Sequence, residues 1–257
     1  MSGSDALRLE RSGRTATLTL VRPPLNILDL ELLGELERQC DELAALDDLQ
    51  VVLVRGAGEK AFSAGVSIHD HTPDKIDRML LAFHGALGKL RALDAFTIAL
   101  VHGHCLGGGM ELACACDLVL ATESARFGQP EIQLGCFPPF AAALLPRRIG
   151  AGRTLELVLT GRTIDAGEAA RIGLVHDVVA PSALDAHATR LVEAITAQSA
   201  VATRLAKRAV RAGDERPLGG AIAEAERLYL RELAASADMA EGIAAFLAKR
   251  APIWQHR

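Results

Sequence analysis

Gly103-His104-Cys105-Leu106-Gly107-Gly108-Gly109-Met110-Glu111, continued by Phe127-Gly128-Gln129-Pro130-Glu131 and closing at Cys136, is the stretch that decides how the chain reads. The glycines at 107–109 follow an apolar run, free the backbone for positive φ, and let a ligand approach bare amides. Glu111 follows in what reads as the first turn of a helix, where the macrodipole favours a carboxylate. Glu131 stands twenty positions later, behind a proline. Taken singly, Glu111 is an ordinary helix-end acid and Glu131 a solvated turn residue. Together with the glycines they make an acid/base site with an oxyanion donor.

The flanks read as scaffold. Thr15 to Val21 alternates apolar and β-branched residues as a strand does, and Arg22-Pro23-Pro24 stops it. Asp29 is placed to cap a helix whose Leu33, Leu36, Cys40 and Leu43 recur at intervals of three and four. Val51 to Arg55 and Thr97 to Val101 are short apolar runs of the kind buried in a parallel sheet. Lys60 to Pro73 is too apolar for a surface loop and too broken by small residues for a strand. Asp74 to Leu93 returns to helical period, Met110 to Cys116 reads as a short helix, and Leu118 to Ala121 as a strand. After Pro139 the pattern is helical almost throughout, with a capping box at Asp165-Ala166-Gly167-Glu168 and a last strand from Leu174 to Val179. The change of style near 180–200 sets a core at 1–195 apart from a helical C-terminal region at 196–257.

Bulk properties narrow the function classes. In 257 residues half are hydrophobic and only 4% aromatic, so Ala, Leu and Val do the packing. A net charge of −4 gives no basic footprint for nucleic acid. The cysteine count is odd, five, with no C-x-x-C, which points to reduced core thiols and a cytoplasmic setting. Met1 to Arg11 has no apolar stretch for a signal peptide, and no run is long enough to span a bilayer. His69-x-His71 and His102-x-His104 share faces but lack a third ligand at metal spacing, so they read as polar core or rim. Ala61-Phe62-Ser63-Ala64-Gly65 misses the first glycine of a nucleophile elbow. Gly103 to Gly109 lacks the Lys-Ser/Thr of a phosphate loop.

Several of these segments, in order, resemble the enoyl-CoA hydratase/isomerase (crotonase) superfamily. They are Ala61-Phe62-Ser63-Ala64-Gly65-Val66, His104 to Ala113, Cys116-Asp117 and Phe127-Gly128-Gln129-Pro130-Glu131. Arg22-Pro23-Pro24-Leu25-Asn26, Leu159-Thr160-Gly161-Arg162, Gly173-Leu174-Val175 and Glu241 to Phe246 with Lys249-Arg250 extend the likeness over nearly the whole chain. The resemblance implies an α/β spiral of strand–strand–helix turns with a helical trimerisation tail, in a homotrimer or homohexamer. It implies an acyl-CoA substrate, CoA being part of that substrate, with no separate cofactor, no metal, no nucleic acid and no membrane partner. The thioester oxygen would sit between the amides of Val66 and Gly108, and Glu111 and Glu131 would activate a water and deliver a proton. Asn26, Ala64, Gly65, Ile68, Gly107, Phe137 and Pro138 would line the substrate, and Phe246 and Lys249 would reach a neighbour's CoA.

Where ordinary hydratases carry Pro-Gly-x-Gly-Gly-Thr after the second glutamate, this chain reads Gly135-Cys136-Phe137-Pro138-Pro139-Phe140. With Ile68 to Lys75 and Phe83-His84-Gly85, that departure resembles the cyclohexa-1,5-diene-1-carbonyl-CoA hydratases of the superfamily, and an apolar wall suits a flat ring. Ser67 stands where relatives usually place Asp. Alternatives are a general short-chain enoyl-CoA hydratase, an isomerase or thioester hydrolase on the same fold, and an idle acyl-CoA-binding subunit. An idle subunit is expected to have lost Glu111, Glu131 or Gly108, and all three are present.

Overall fold

The structure is a computed structural model and describes residues 6–256. The strands are β1 (Leu7–Ser12), β2 (Thr15–Leu20), β3 (Val51–Gly56), β4 (Ala61–Ser63), β5 (Phe96–Val101), β6 (His104–Leu106), β7 (Leu118–Thr122), β8 (Arg126–Gly128), β9 (Thr163–Asp165) and β10 (Asp177–Val179). The helices of the core are α1 (Leu30–Ala44), α2 (Ile76–Ala92), α3 (Gly108–Ala115), α4 (Pro139–Ile149), α5 (Ala151–Thr160), α6 (Ala166–Arg171) and α7 (Leu184–Thr196). The tail adds α8 (Ala200–Glu215), α9 (Leu218–Leu228), a π-helical turn at Tyr229–Leu233 and α10 (Ala237–Leu247). No described helix is long and apolar enough to cross a membrane.

Two sheets organise the core. The larger has the order β1-β2-β3-β5-β7-β10, parallel throughout except for the β1–β2 hairpin. The smaller has the order β4-β6-β8-β9, with β4, β6 and β8 parallel. The chain therefore alternates between sheets: β3 then β4 then α2, β5 then β6 then α3, β7 then β8 then α4. This is the spiral of strand–strand–helix turns. Its interior is packed by α1 and α2 through Leu32, Leu36, Met79, Phe83 and Leu87, all buried.

Local chemistry explains the elements. Asp29 caps α1, accepting from the Leu32 amide at 2.8 Å, and Asp165 caps α6 by accepting from Glu168 at 2.7 Å. Lys60 to Pro73, read as strandless, contains β4 and a 3₁₀ turn at Ile68–Asp70, because neighbours in the small sheet satisfy its backbone. The strand read from Leu174 to Val179 is confined to Asp177–Val179. The amides of Leu174 and Val175 instead close the end of α6 on the Ala169 carbonyl.

The tail is tied to the core by a buried ion cluster. Asp117 accepts from the Thr97 amide at 2.8 Å and hydroxyl at 2.9 Å, from Lys207 at 2.7 Å and from Arg211 at 2.5 Å. Those cations lower the Asp117 pKa against the burial that would raise it. The Cys-Asp pair of the sequence thus anchors α8 to the ends of β5 and β7.

α3 and β4 are packed backbone to backbone. A methyl on Gly109 would lie 2.2 Å from the Ser63 carbonyl oxygen and 2.8 Å from its Cβ. Gly109→Ala is therefore expected to destabilise the fold by about 3 kcal/mol or more, as overpacking against backbone does. A shift of the urea unfolding midpoint measures this, and an unchanged midpoint would refute the packing account.

Candidate active site

Parallel pairing of β4, β6 and β8 brings their carboxyl ends side by side, which is where open α/β sheets bind ligands. Each strand delivers one piece. β4 leads into Ala64-Gly65-Val66. β6 leads through Gly107 into α3, with Glu111 in its first turn. β8 leads through Gln129 into a 3₁₀ turn, Pro130–Leu134, with Glu131 near its start. Residues distant in sequence converge because three successive turns of the spiral place them at equivalent positions.

The amides of Val66 and Gly108 face a common space. Leu28 donates to Gly65 O at 2.9 Å and accepts from Ser67 N at 3.2 Å, so the N–H of the intervening Val66 points away from that pairing. The Gly108 N–H opens α3, where no intrahelical acceptor exists. A methyl on Gly108 would lie 3.2 Å from Val66 N, and one on Gly65 would lie 3.3 Å from Gly108 N. The two loops touch at these amides, and no described hydrogen bond uses either N–H. Gly107 needs its glycine twice over: φ is +52°, and a methyl there would meet Glu131 Oε1 at 2.5 Å.

Glu111 is buried, 3% exposed, and its Oε1 accepts from the Ala141 amide at 2.7 Å in the first turn of α4. Burial pushes its pKa up to about 8, and the charge of Glu131 adds to the rise, while hydrogen bonds from the Ala141 and Phe140 amides oppose it. Glu131 is half-buried, and burial raises its pKa as well, with His71 opposing the rise. The fully buried Gln129 side-chain amide, turned so that its nitrogen faces the carboxylate, donates to Glu131 at 3.1 and 3.2 Å. His71 is itself fixed, its Nδ1 2.9 Å from the Ser67 carbonyl oxygen. Two carboxyls that resist ionisation therefore flank a pair of unpaired amides.

The other sequence-derived candidates divide. Ala64, Gly65 and Gly107 lie in the converging loops, and Ile68 is exposed just beyond them. Pro138 is buried and Phe137 is exposed, both at the start of α4. Asn26 is corrected: it is fully buried and its side chain is consumed within the protein. Its Nδ2 donates to Ala57 O and Ala61 O at 2.9 and 2.8 Å, and its Oδ1 accepts from Arg22 N at 3.0 Å. It holds the loops that lead to β4 and presents no atom to a ligand. Phe246 is exposed, and no described hydrogen bond links it or Lys249 to these loops; beyond them, Trp254 donates to Ala197 O and His256 accepts from Ala200 N. Gln129, His71, Phe83 and Phe140 were not read as site residues. The available signals were the quoted segments Phe83-His84-Gly85, Phe127 to Glu131 and Gly135 to Phe140, and the His69-x-His71 spacing, which carries no metal geometry.

With this geometry in hand, the comparisons are consistent. Residues 10–257 match the model of the enoyl-CoA hydratase/isomerase family. The chain is 39% identical over 249 residues to a cyclohexa-1,5-dienecarbonyl-CoA hydratase of Thauera aromatica, covering 97% of this chain and 96% of that one. It is 35% identical over 249 residues to a short-chain-enoyl-CoA hydratase of Clostridium acetobutylicum, covering 94% of each. Among solved structures, an enoyl-CoA hydratase from Bacillus anthracis superposes with a TM-score of 0.93 at 32% identity, covering 98% of this chain and 100% of that one. Strand order, converging loops and sequence agree: the chain belongs to the enoyl-CoA hydratase/isomerase family.

Proposed function

We propose that the protein adds water across an α,β-unsaturated acyl-CoA thioester, and that its acyl group is the ring of cyclohexa-1,5-diene-1-carbonyl-CoA. The observation that carries the hydratase reading is the pair Glu111 and Glu131, both with raised pKa, beside the unused amides of Val66 and Gly108. The thioester oxygen binds the two amides, which stabilise the enolate charge as it develops. One carboxylate takes a proton from water as its oxygen bonds the β-carbon, and the other carboxyl gives a proton to the enolate carbon. The protons balance, so the pair starts and ends with one proton between them. Burial and mutual repulsion favour that singly protonated state near neutral pH. The reading calls for no metal and no redox cofactor, because the thioester carbonyl and its amides supply the electron sink.

The ring assignment rests on Phe137, Pro138 and Phe140 at the start of α4 and on the likeness to the Thauera aromatica protein. The exposed Leu218, Tyr229, Leu230 and Phe246 of the tail suit the homotrimer or homohexamer that the family pattern implies.

Purified protein incubated with crotonyl-CoA and with the cyclic dienoyl-CoA tests both levels. A product heavier by one water with the thioester intact supports hydration, whereas free CoA would refute it. Faster turnover of the linear ester would return the protein to the general short-chain hydratases. Turnover is further expected to fall as pH rises past about 8, where Glu111 loses its proton; a kcat–pH profile checks this.

A further inference from the structure

Ser63 ends β4, just before the Gly65–Val66 peptide that carries one of the two free amides, and it is fully buried. Its hydroxyl donates to the Asn26 carbonyl oxygen at 2.8 Å and accepts from the Gly65 amide at 3.2 Å. The oxygen that a serine nucleophile would offer to substrate is therefore spent on backbone. That assignment leaves open what the hydroxyl does there.

Described hydrogen bonds hold the loop from Ala64 to Ser67 on both sides of the Val66 N–H. Ala64 N donates to Leu25 O at 2.9 Å, Gly65 N to Ser63 Oγ, and Ser67 N to Leu28 O at 3.2 Å, while Gly65 O accepts from Leu28 N at 2.9 Å. The Val66 N–H shares one planar peptide with Gly65 O, so its direction is set by the two torsions of Gly65. Gly65 has a φ of +105°, and glycine moves through such conformations at little steric cost. Leu28 fixes one side of this pivot through the Gly65 carbonyl, and Ser63 fixes the other through the Gly65 amide. Of these bonds, the one from Ser63 alone comes from a side chain. The pivot also touches the second amide, since a methyl on Gly65 would lie 3.3 Å from Gly108 N.

We propose that Ser63 is a positioning residue for the oxyanion site, its hydroxyl locking the Gly65 peptide so that the Val66 N–H stays aimed at the thioester oxygen. The inference rests on the hydratase reading, in which that oxygen gathers charge between Val66 and Gly108. Without the hydroxyl the buried Gly65 N–H has no acceptor, and burial without a partner is costly enough to turn the peptide. A donor that must be re-aimed as charge develops no longer acts as a preorganised one.

Infrared spectra of bound butyryl-CoA and cyclohexanecarbonyl-CoA, isotopically labelled at the thioester carbonyl, read that aim directly. Hydrogen bonds to a carbonyl oxygen lower its stretching frequency, and neither saturated ester can take up water. Wild type is expected to lower the frequency of at least one ester. Ser63→Ala keeps the Cβ that packs beside Gly109. It is expected to lose about half of the frequency shift, one of the two donors being misaimed. Its kcat is expected to fall about ten- to a hundredfold, the cost of displacing an aligned group by up to about 1 Å, with KM nearly unchanged. Ser63→Cys, whose thiol is a weaker donor and acceptor, is expected to lie between the two and serves as the second variant if the alanine protein does not fold. A full wild-type shift and kcat in a folded variant, even one with a lowered urea midpoint, would make Ser63 merely structural and overturn the proposal. Failure of the wild type to bind or to shift either ester would instead overturn the hydratase reading.

Discussion

Glu111→Gln is expected to reduce turnover by about 10²–10⁴-fold, the usual worth of a positioned acid or base, and to make the protein more stable above neutral pH. Both effects come from the same burial. The folded-state pKa of Glu111 stands near 8, above the ordinary 4.5. Between those values the folded chain holds a proton that the unfolded chain has released, so stability is greatest below 4.5, falls as pH rises and levels off above about 8. At about 1.4 kcal/mol per pH unit, the interval corresponds to a loss of order 4–5 kcal/mol. Glutamine never ionises and can still accept from the Ala141 amide, so it avoids that loss. The melting temperature of Glu111→Gln is expected to exceed that of wild type at pH 9 and to differ little at pH 5. Equal melting curves at both values would refute the buried-acid account, and near-wild-type turnover would refute the catalytic one. Glu131→Gln is expected to impair turnover comparably, with a smaller stability gain because Glu131 is only half-buried.

Gly108→Ala is the second large effect. The added methyl would lie 2.6 Å from Val66 Cγ2 and 3.1 Å from Phe83 Cζ, with Val66 N at 3.2 Å. It therefore forces the two loops apart at the point where their amides converge. Loss of one donor to a developing oxyanion costs about 2.7–4 kcal/mol, or roughly 10²–10³ in kcat. The methyl meets side chains that can yield, so the fold should persist, in contrast to Gly109→Ala, which meets backbone. Circular dichroism and kcat together separate the two outcomes. A folded Gly108→Ala protein with unimpaired kcat would remove this amide from the mechanism.

The large sheet was legible because its strands are apolar runs of five or six residues, such as Val51–Gly56 and Phe96–Val101. The small sheet was not. Three-residue strands such as Ala61–Ser63 and Arg126–Gly128 carry too few residues for a period of two, and His104–Leu106 is followed by the glycines that announce a loop. Yet it is this sheet that assembles the site. β1 escaped notice because Leu7–Ser12 is an edge strand rich in charge, as solvent-facing edges are. Glu111, Glu131, Val66 and Gly108 were read from their motifs rather than from periodicity. His84 and Gln129 were quoted only as members of family-like segments, and the stacking of His84 on Phe140 and the approach of Gln129 to Glu131 appear in the structure alone. Asn26 shows the reverse, since a motif residue read as touching substrate turns out to be spent on its own backbone.

The first turn of α4 has a consequence for how this enzyme can diverge. It carries the ring of Phe140, stacked on His84, and the amide of Ala141, which donates to Glu111. On the proposed function, selectivity and acid strength therefore share one mechanical part. A substitution at Phe140 that admits a bulkier substrate is then expected to move the neighbouring amide that restrains Glu111 and to shift the pH optimum with it. Variants selected for new acyl groups at Phe137 to Phe140 would need a compensating change at a second position to recover their original pH profile.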